Sequence, residues 1–267
     1  MPDEVIRNRP VVGLITDFGI QDPYDAVMKG VIYSINPEAN IVDITHHVEP
    51  QNVPQAAFIL SRVFSYFPRD TVFNVVVDPG VGGKRRALAV KTRDYYFVAP
   101  DNGVLTLAMK KSPPQVMVEI TDFRFILQPV SRTFHGRDIF APAAAHLSNR
   151  VPITEMGMKV EDYEKLTFPP VTVQKDHLLG HVIYTDHFGN LITDIDHELY
   201  HSRKVNRITV ADHTITGLNR SYNSSPPGDL LAITGSFDTL EISVNKGSAT
   251  DLLKGVTGLP VRIELED

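Results

Sequence analysis

The chain has 267 residues, 42% hydrophobic and 22% charged, with a net charge of −6 and no cysteine. That length and balance suit one large or two modest globular domains with a sizeable core. The acidic excess argues against a nucleic-acid partner, which leaves a basic footprint, and against attraction to anionic lipid. The lack of cysteine excludes disulfides, thiolate catalysis and zinc–thiolate sites.

The first residues, MPDEVIRNRPVV, lack the charged-then-apolar pattern of a signal peptide. No apolar run approaches the roughly 18 residues that span a bilayer. The expected compartment is the cytoplasm, with no membrane partner. Residues 11–16 form a short apolar run ending at Asp17, a strand followed by a turn. Residues 23–36 carry Val27, Val31, Ile32 and Ile35 at helical spacing, with Asp22 as a candidate N-cap. Residues 41–44 read as a second strand, and 53–67 as a helix with Ala56, Ala57, Ile59, Leu60, Val63 and Phe64 on one broad face. The β-branched run at 71–77 suits a strand buried on both faces. Residues 87–90 and 95–98 are shorter strands, and the Ala-rich stretch 138–147 is helical, with Asp138 as a candidate cap.

Alternating strands and helices predict a mostly parallel sheet covered on both sides. The pattern changes at the two prolines 169 and 170. Beyond them residues 181–185, 191–195, 207–210, 230–234 and 261–264 read as short strands separated by turn residues, the signature of a small β-barrel. The predicted fold is therefore α/β: an N-terminal α/β domain over 1–168, a linker over 169–178, and a smaller C-terminal β-barrel domain over 179–267.

Four constellations carry the chemistry. In Leu14-Ile-Thr-Asp-Phe-Gly19, Asp17 stands at the carboxyl end of a strand. Open parallel sheets bind ligands at that edge, and a carboxylate there can accept both hydroxyls of a ribose. In Val77-Asp-Pro-Gly-Val-Gly-Gly-Lys-Arg-Arg86, Asp78 again ends a buried strand. Pro79 and the glycines let the loop bend closely, so Arg85, seven residues on, can fold back beside the carboxylate. The loop lacks the order of a phosphate-binding P-loop. In Thr133-Phe-His-Gly-Arg-Asp138, His135 precedes the Ala-rich helix. In the second half, 186–190, 235–237, Glu241 and 245–249 put polar groups into turns. There an asparagine offers both a donor and an acceptor, as an adenine edge requires. The ten histidines, including the pair His46-His47, show no HExxH or other ligand spacing. No metal is expected. GxSxG and GxGxxG are absent too.

The stretches LITDFGIQDPYDAVMKGVIYSINPEANIVDITHHVEPQNV, VVVDPGVGGKRRALAV, FVAPDNGVLTLA, TFHGRDIFAPAAAHLS, TDHFGNLITDI and LEISVNKGSATDLL resemble, in order, the S-adenosyl-L-methionine hydroxide adenosyltransferase family. The resemblance runs from about residue 11 to the C-terminus. It implies an α/β domain followed by a β-barrel, and hydrolysis of S-adenosyl-L-methionine (SAM) to adenosine and L-methionine by water or hydroxide attacking C5′ in line. It also implies a homotrimer with each active site between the N-terminal domain of one subunit and the C-terminal domain of the next, and no cofactor besides the substrate.

Carried onto this sequence, the catalytic set is Asp78, Arg85 and His135, with either Asp78 or His135 as the proton acceptor. Substrate binding falls to Asp17, Phe18, Asp186, Phe188, Asn190, Ser236, Phe237, Glu241, Asn245 and Ala249. The related halogenases lack this aspartate and histidine, and a carboxylate beside a halide pocket would repel the halide. Two other readings stay open: a halogenase-like enzyme on the same fold, and a non-catalytic binder of the nucleoside.

Overall fold

The computed structural model describes residues 9–254 and 257–266. Residues 1–8, most of the stretch in which the sequence shows no leader pattern, lie outside it. The chain divides into two compact units, Met1–Thr167 and Phe168–Asp267.

The first unit contains β1 (Val11–Thr16), α1 (Tyr24–Ile35), β2 (Asn40–Thr45), α2 (Val53–Val63), β3 (Val72–Val76), β4 (Ala87–Lys91), β5 (Tyr96–Pro100), α3 (Thr106–Lys111), β6 (Val116–Ile120), α4 (Ala141–Ser148) and β7 (Gly157–Lys159). The strands form one seven-stranded sheet in the order β2-β1-β3-β5-β4-β6-β7. The pairs β2–β1, β1–β3 and β3–β5 are parallel, and β5–β4, β4–β6 and β6–β7 are antiparallel.

Strand β3 explains the layering. It is buried along its length, and its side chains alternate between two cores. Val72 and Val76 pack with Met28 and Ile32 of α1 and the alanines of α4. Phe73 and Val75 pack with Ala56 and Leu60 of α2 and with Ala108 and Met109 of α3. Chain order reverses about β1, whose two sheet neighbours are β2 and β3. At such a switch point the loops after adjacent parallel strands diverge and leave a crevice at the carboxyl edge. Register pairs Thr16 with Val76, so Asp17 and Asp78 leave neighbouring strands side by side.

Helix ends differ in places from expectation. Helix α2 starts at Asn52, whose side chain accepts the Gln55 N–H at 3.0 Å, with a proline in the first turn. Helix α1 begins after Pro23 with no side-chain cap, so Asp22 does not fill that role; it lies one residue too early. Asp138 is no cap either. It sits inside a π-helical turn, Gly136–Phe140, that runs into α4.

The second unit contains β8 (Thr172–Val173), β9 (His177–Thr185), β10 (Leu191–Asp196), β11 (Lys204–Val210), β12 (His213–Thr216), β13 (Leu230–Thr234), β14 (Thr239–Val244), α5 (Ala249–Leu253) and β15 (Pro260–Glu266). Its sheet runs β12-β11-β15-β9-β10-β14-β13, with β8 on β9, and every pair is antiparallel. The Asn219 N–H, just past β12, donates to the Ala232 carbonyl of β13 at 2.8 Å. The sheet thus curls into a nearly closed barrel around Leu178, Ile208, Ile242 and Ile263. No helix among the described residues is long and apolar enough to cross a membrane.

Candidate active site

The loop after β3 folds as its glycines permit. The Val81 N–H returns to the Asp78 carbonyl at 3.2 Å and the Gly83 N–H to Gly80 at 3.0 Å. Gly82 has φ +75, and a Cβ there would lie 2.2 Å from the Arg132 carbonyl. Only glycine lets this loop abut the 131–135 segment so closely. The chain then brings Arg85 back to Asp78. Its Nε lies 3.0 Å from both carboxylate oxygens, and Nη2 also bonds Oδ2. Nη2 reaches His135 Nδ1 as well, at 2.6 Å. The guanidinium rests over the Phe140 ring, 5.1 Å from its centroid. The neighbouring Arg86 is committed elsewhere, to Asp101 at 2.8 Å and Asp162 at 2.8 Å.

The side chains of Asp78 and Arg85 are only 5% and 11% exposed, so water screens their interaction little. Arginine can only donate, so His135 Nδ1 must be the acceptor, and a neutral ring then carries its proton on Nε2. Burial first, and then the Arg85 charge, hold the His135 imidazole below its ordinary value of 6.5, against the opposing pull of Asp78, Asp138 and a hydrogen bond to the Ser131 backbone. The ring is therefore neutral at pH 7.

Because the folded state binds its proton less readily than the unfolded chain, this group's contribution to stability is present above pH 6.5 and is lost as pH falls. An NMR titration of the His135 ring should show a midpoint below 6.5. Arg85→Gln should move that midpoint upward. A midpoint unmoved by the substitution would contradict the arrangement.

These three groups line or border a cleft of about 270 Å³ that also takes in Asp17, Phe18, Gln51 and Thr133–Gly136. Asp17 Oδ2 accepts the Gln51 N–H at 2.8 Å. Phe18, Tyr24 and Phe134 form an edge-to-face cluster with centroids 5.3 to 5.9 Å apart, an apolar wall beside the carboxylates. Asp138, 2% exposed, accepts from Arg137 Nε at 2.6 Å and from the Ser131 N–H at 2.8 Å. It ties the loop before His135 to the π turn. A larger hollow of about 860 Å³ lies at the amino ends of β1 and β2, beside Pro10 and Asn40. Its lining includes no histidine and no acid except Asp70.

In the second unit the predicted residues hold their own turns. Asp186 Oδ1 accepts the N–H groups of Phe188 and Asn190, both at 2.9 Å, and Oδ2 accepts from the Asn190 amide at 2.8 Å. Asn245 donates to the Ser225 carbonyl at 2.6 Å. Glu241, 5% exposed, accepts from the Tyr222 hydroxyl at 2.7 Å and the Ser243 hydroxyl at 2.9 Å. Burial first, then Glu241, pushes the Tyr222 phenol far up, so it stays a donor. Phe188 is exposed, Ser236 lies at an exposed tip, and Ala249 is buried at the start of α5. Phe237 follows Ser236 and is half-buried.

Asp17, Phe18, Asp78, Arg85 and His135 thus meet in the first unit, and the other eight belong to the second. Sequence reasoning missed Gln51, Phe134 and Tyr222. The aromatic neighbour of a candidate histidine was a usable signal for Phe134; nothing local marks the other two. Among the described residues no group of three or more histidine or acidic side chains is gathered as a metal ion would need.

Comparison with known proteins agrees with this architecture. The profile of the SAM hydroxide adenosyltransferase N-terminal domain matches residues 12–157, and that of its C-terminal domain matches residues 180–262. An (R)-S-adenosyl-L-methionine hydrolase of Thermus thermophilus is 36% identical, with 96% of this chain and 99% of that protein covered. A protein of the same name from Salinispora arenicola is 35% identical over 97% and 99%. A fluorinase of Nocardia brasiliensis is 29% identical over 70% and 71%. The crystal structure of an uncharacterized conserved protein from Thermotoga maritima superposes with a TM-score of 0.89 at 39% identity, covering 94% of this chain and 99% of that one. The chain belongs to the SAM hydroxide adenosyltransferase family.

Proposed function

We propose that this protein hydrolyses S-adenosyl-L-methionine to adenosine and L-methionine, with Asp78, Arg85 and His135 activating the water. The observation that carries the reading is the contact of Arg85 with both Asp78 and His135, which line one cleft with Asp17. The C5′–S bond breaks with its electron pair going to sulfur, and methionine departs as a neutral thioether. A C5′–O bond forms, and the water gives up a proton. The sulfonium is already a good leaving group, so the catalytic burden falls on the nucleophile. A guanidinium in a nearly dry site favours hydroxide over water electrostatically.

Since Arg85 occupies His135 Nδ1, the ring orients the nucleophile by donating from Nε2. Asp78, whose oxygens keep further lone pairs, takes the proton. Asp17 accepts the ribose hydroxyls beside Phe18. Holding the substrate in line contributes several kcal/mol, about 7 to 11 in the best intramolecular cases. Adenine and methionine recognition falls to Asp186, Phe188, Asn190, Ser236, Phe237, Glu241, Asn245 and Ala249.

The same reading extends to a cytoplasmic homotrimer whose neighbouring subunits complete each site, and to a reaction needing no metal. Sedimentation equilibrium tests the first and turnover in chelator the second. Asp17→Ala should raise KM about tenfold to a hundredfold, the worth of charge-assisted hydrogen bonds, while kcat falls less; steady-state kinetics read the split.

The deciding experiment mixes pure protein with SAM in ¹⁸O-water, with and without chloride or fluoride, and analyses products by chromatography and mass spectrometry. Label in the 5′-hydroxyl of adenosine supports the proposal. A halogenated nucleoside instead would make it a halogenase, and bound nucleoside without product would make it a binder.

A further inference from the structure

His46 stands outside the mechanism, yet it is a buried titratable side chain, only 4% exposed. Its Nε2 lies 3.0 Å from Asp43 Oδ1 and its Nδ1 lies 2.8 Å from Thr16 Oγ1. Lys29 bridges Asp25 at 3.0 Å and Asp43 at 2.7 Å. Asp25 also faces the ring, 4.0 Å from Nε2. Burial alone would raise the Asp43 carboxyl, but hydrogen bonds from Lys29 and His46 outweigh it and hold the group below the usual range.

An ionised carboxylate only accepts, so Nε2 carries a proton, and in the neutral ring Nδ1 is left to accept from the Thr16 hydroxyl. The Thr16 oxygen in turn accepts the Phe18 N–H at 3.3 Å. With the ring neutral, the donors run in one direction, from Phe18 N–H to Thr16 to His46 to Asp43. The His46 carbonyl takes the Gly19 N–H at 2.7 Å. Asp17 lies between these tethered positions. From the other side the Gln51 N–H reaches its Oδ2 at 2.8 Å, from a residue at φ 67. A non-glycine residue in that region costs energy and persists only where its surroundings enforce it.

We infer that His46 is a positioning residue, which through the Thr16 hydroxyl sets the backbone that aims the Asp17 carboxylate at the ribose hydroxyls. The inference rests on the ribose role proposed for Asp17. Phe18 in this loop packs on Tyr24 and Phe134. Directional hydrogen bonds to a buried, oriented ring add the backbone orientation that such packing does not set by itself.

The hydroxyl is the cleanest point to test, because His46→Ala would leave a buried void. Thr16→Val keeps shape and removes both hydrogen bonds of the hydroxyl, to His46 and from the Phe18 N–H; Thr16→Ser restores them. Thermal melts confirm that each variant folds. KM and kcat are read from adenosine formation, and binding of adenosine and of 2′,3′-dideoxyadenosine is measured by calorimetry. Thr16→Val should raise KM about threefold to tenfold with kcat within about twofold, and Thr16→Ser should return KM to the wild-type value. The same Val variant should weaken adenosine but leave the dideoxy analogue unaffected.

A wild-type protein that binds both nucleosides equally would remove the ribose role of Asp17, and this inference with it. A wild-type protein that discriminates, with a Thr16→Val variant that discriminates as well, would overturn the positioning role alone. A fall in kcat at unchanged KM would also overturn it.

Discussion

Asp78→Asn is expected to lower kcat by about 10²- to 10⁴-fold, the usual worth of a positioned general base, while KM for SAM changes only a few-fold. The substitution keeps the shape of the side chain and removes its charge. It also strips Arg85 of its ion-pair partner in a site where that guanidinium is only 11% exposed. Leaving such a charge unpaired costs about 3–5 kcal/mol in buried pairs, and a penalty at the low end is expected here, so thermal melting must accompany the kinetics. Chemical rescue in Asp78→Gly checks the role of the carboxylate. Added formate should restore part of the turnover by supplying a carboxylate to the vacated space, and by pairing with Arg85 it should also raise that variant's melting temperature. His135→Gln should be milder than Asp78→Asn, because the amide can still accept from Arg85 and orient a water. Equal losses in the two variants would contradict the assignment of Asp78 as the proton acceptor.

Phe140→Ala should produce the largest loss of stability at the site. The ring is fully buried and belongs to the core between the sheet, α1 and α4. Truncation of such a ring costs about 3–5 kcal/mol, visible as a lower urea midpoint for the transition of the first unit. The ring is also the platform under Arg85, so kcat should fall as well. Phe140→Leu should recover most of the stability but not the aromatic face, and its kcat should remain depressed. A Leu variant with full activity would reduce the ring to filler.

The architecture was legible where side-chain periodicity reports burial. The β-branched run of β3 shows its two-sided burial directly, and the spacing of Val31, Ile32 and Ile35 marks α1. The acid, guanidinium and imidazole were legible too, because each follows a strand end or precedes a helix. What escaped depends on contacts distant in sequence. Strand β14 is buried at every position, yet Thr239, Glu241 and Ser243 interrupt its apolar pattern; Tyr222, 19 residues away, satisfies the glutamate. Helix α3 spans six residues, too few for a helical repeat to register. Asp138 looked like a cap because it precedes alanines, but its partners are Ser131 and Arg137, in a π-helical turn that no local pattern foretells. Gln51 matters through its backbone, which side-chain identity does not encode.

The backbone abutment of Gly82 on Arg132 has an evolutionary consequence. The segments bearing the guanidinium and the imidazole touch main chain to main chain, so neither can drift in shape alone. Changes on one side of that seam must be matched on the other, which makes their effects non-additive. Lineages that exchange one nucleophile for another are therefore expected to replace both segments together, while the sheet beneath keeps its register.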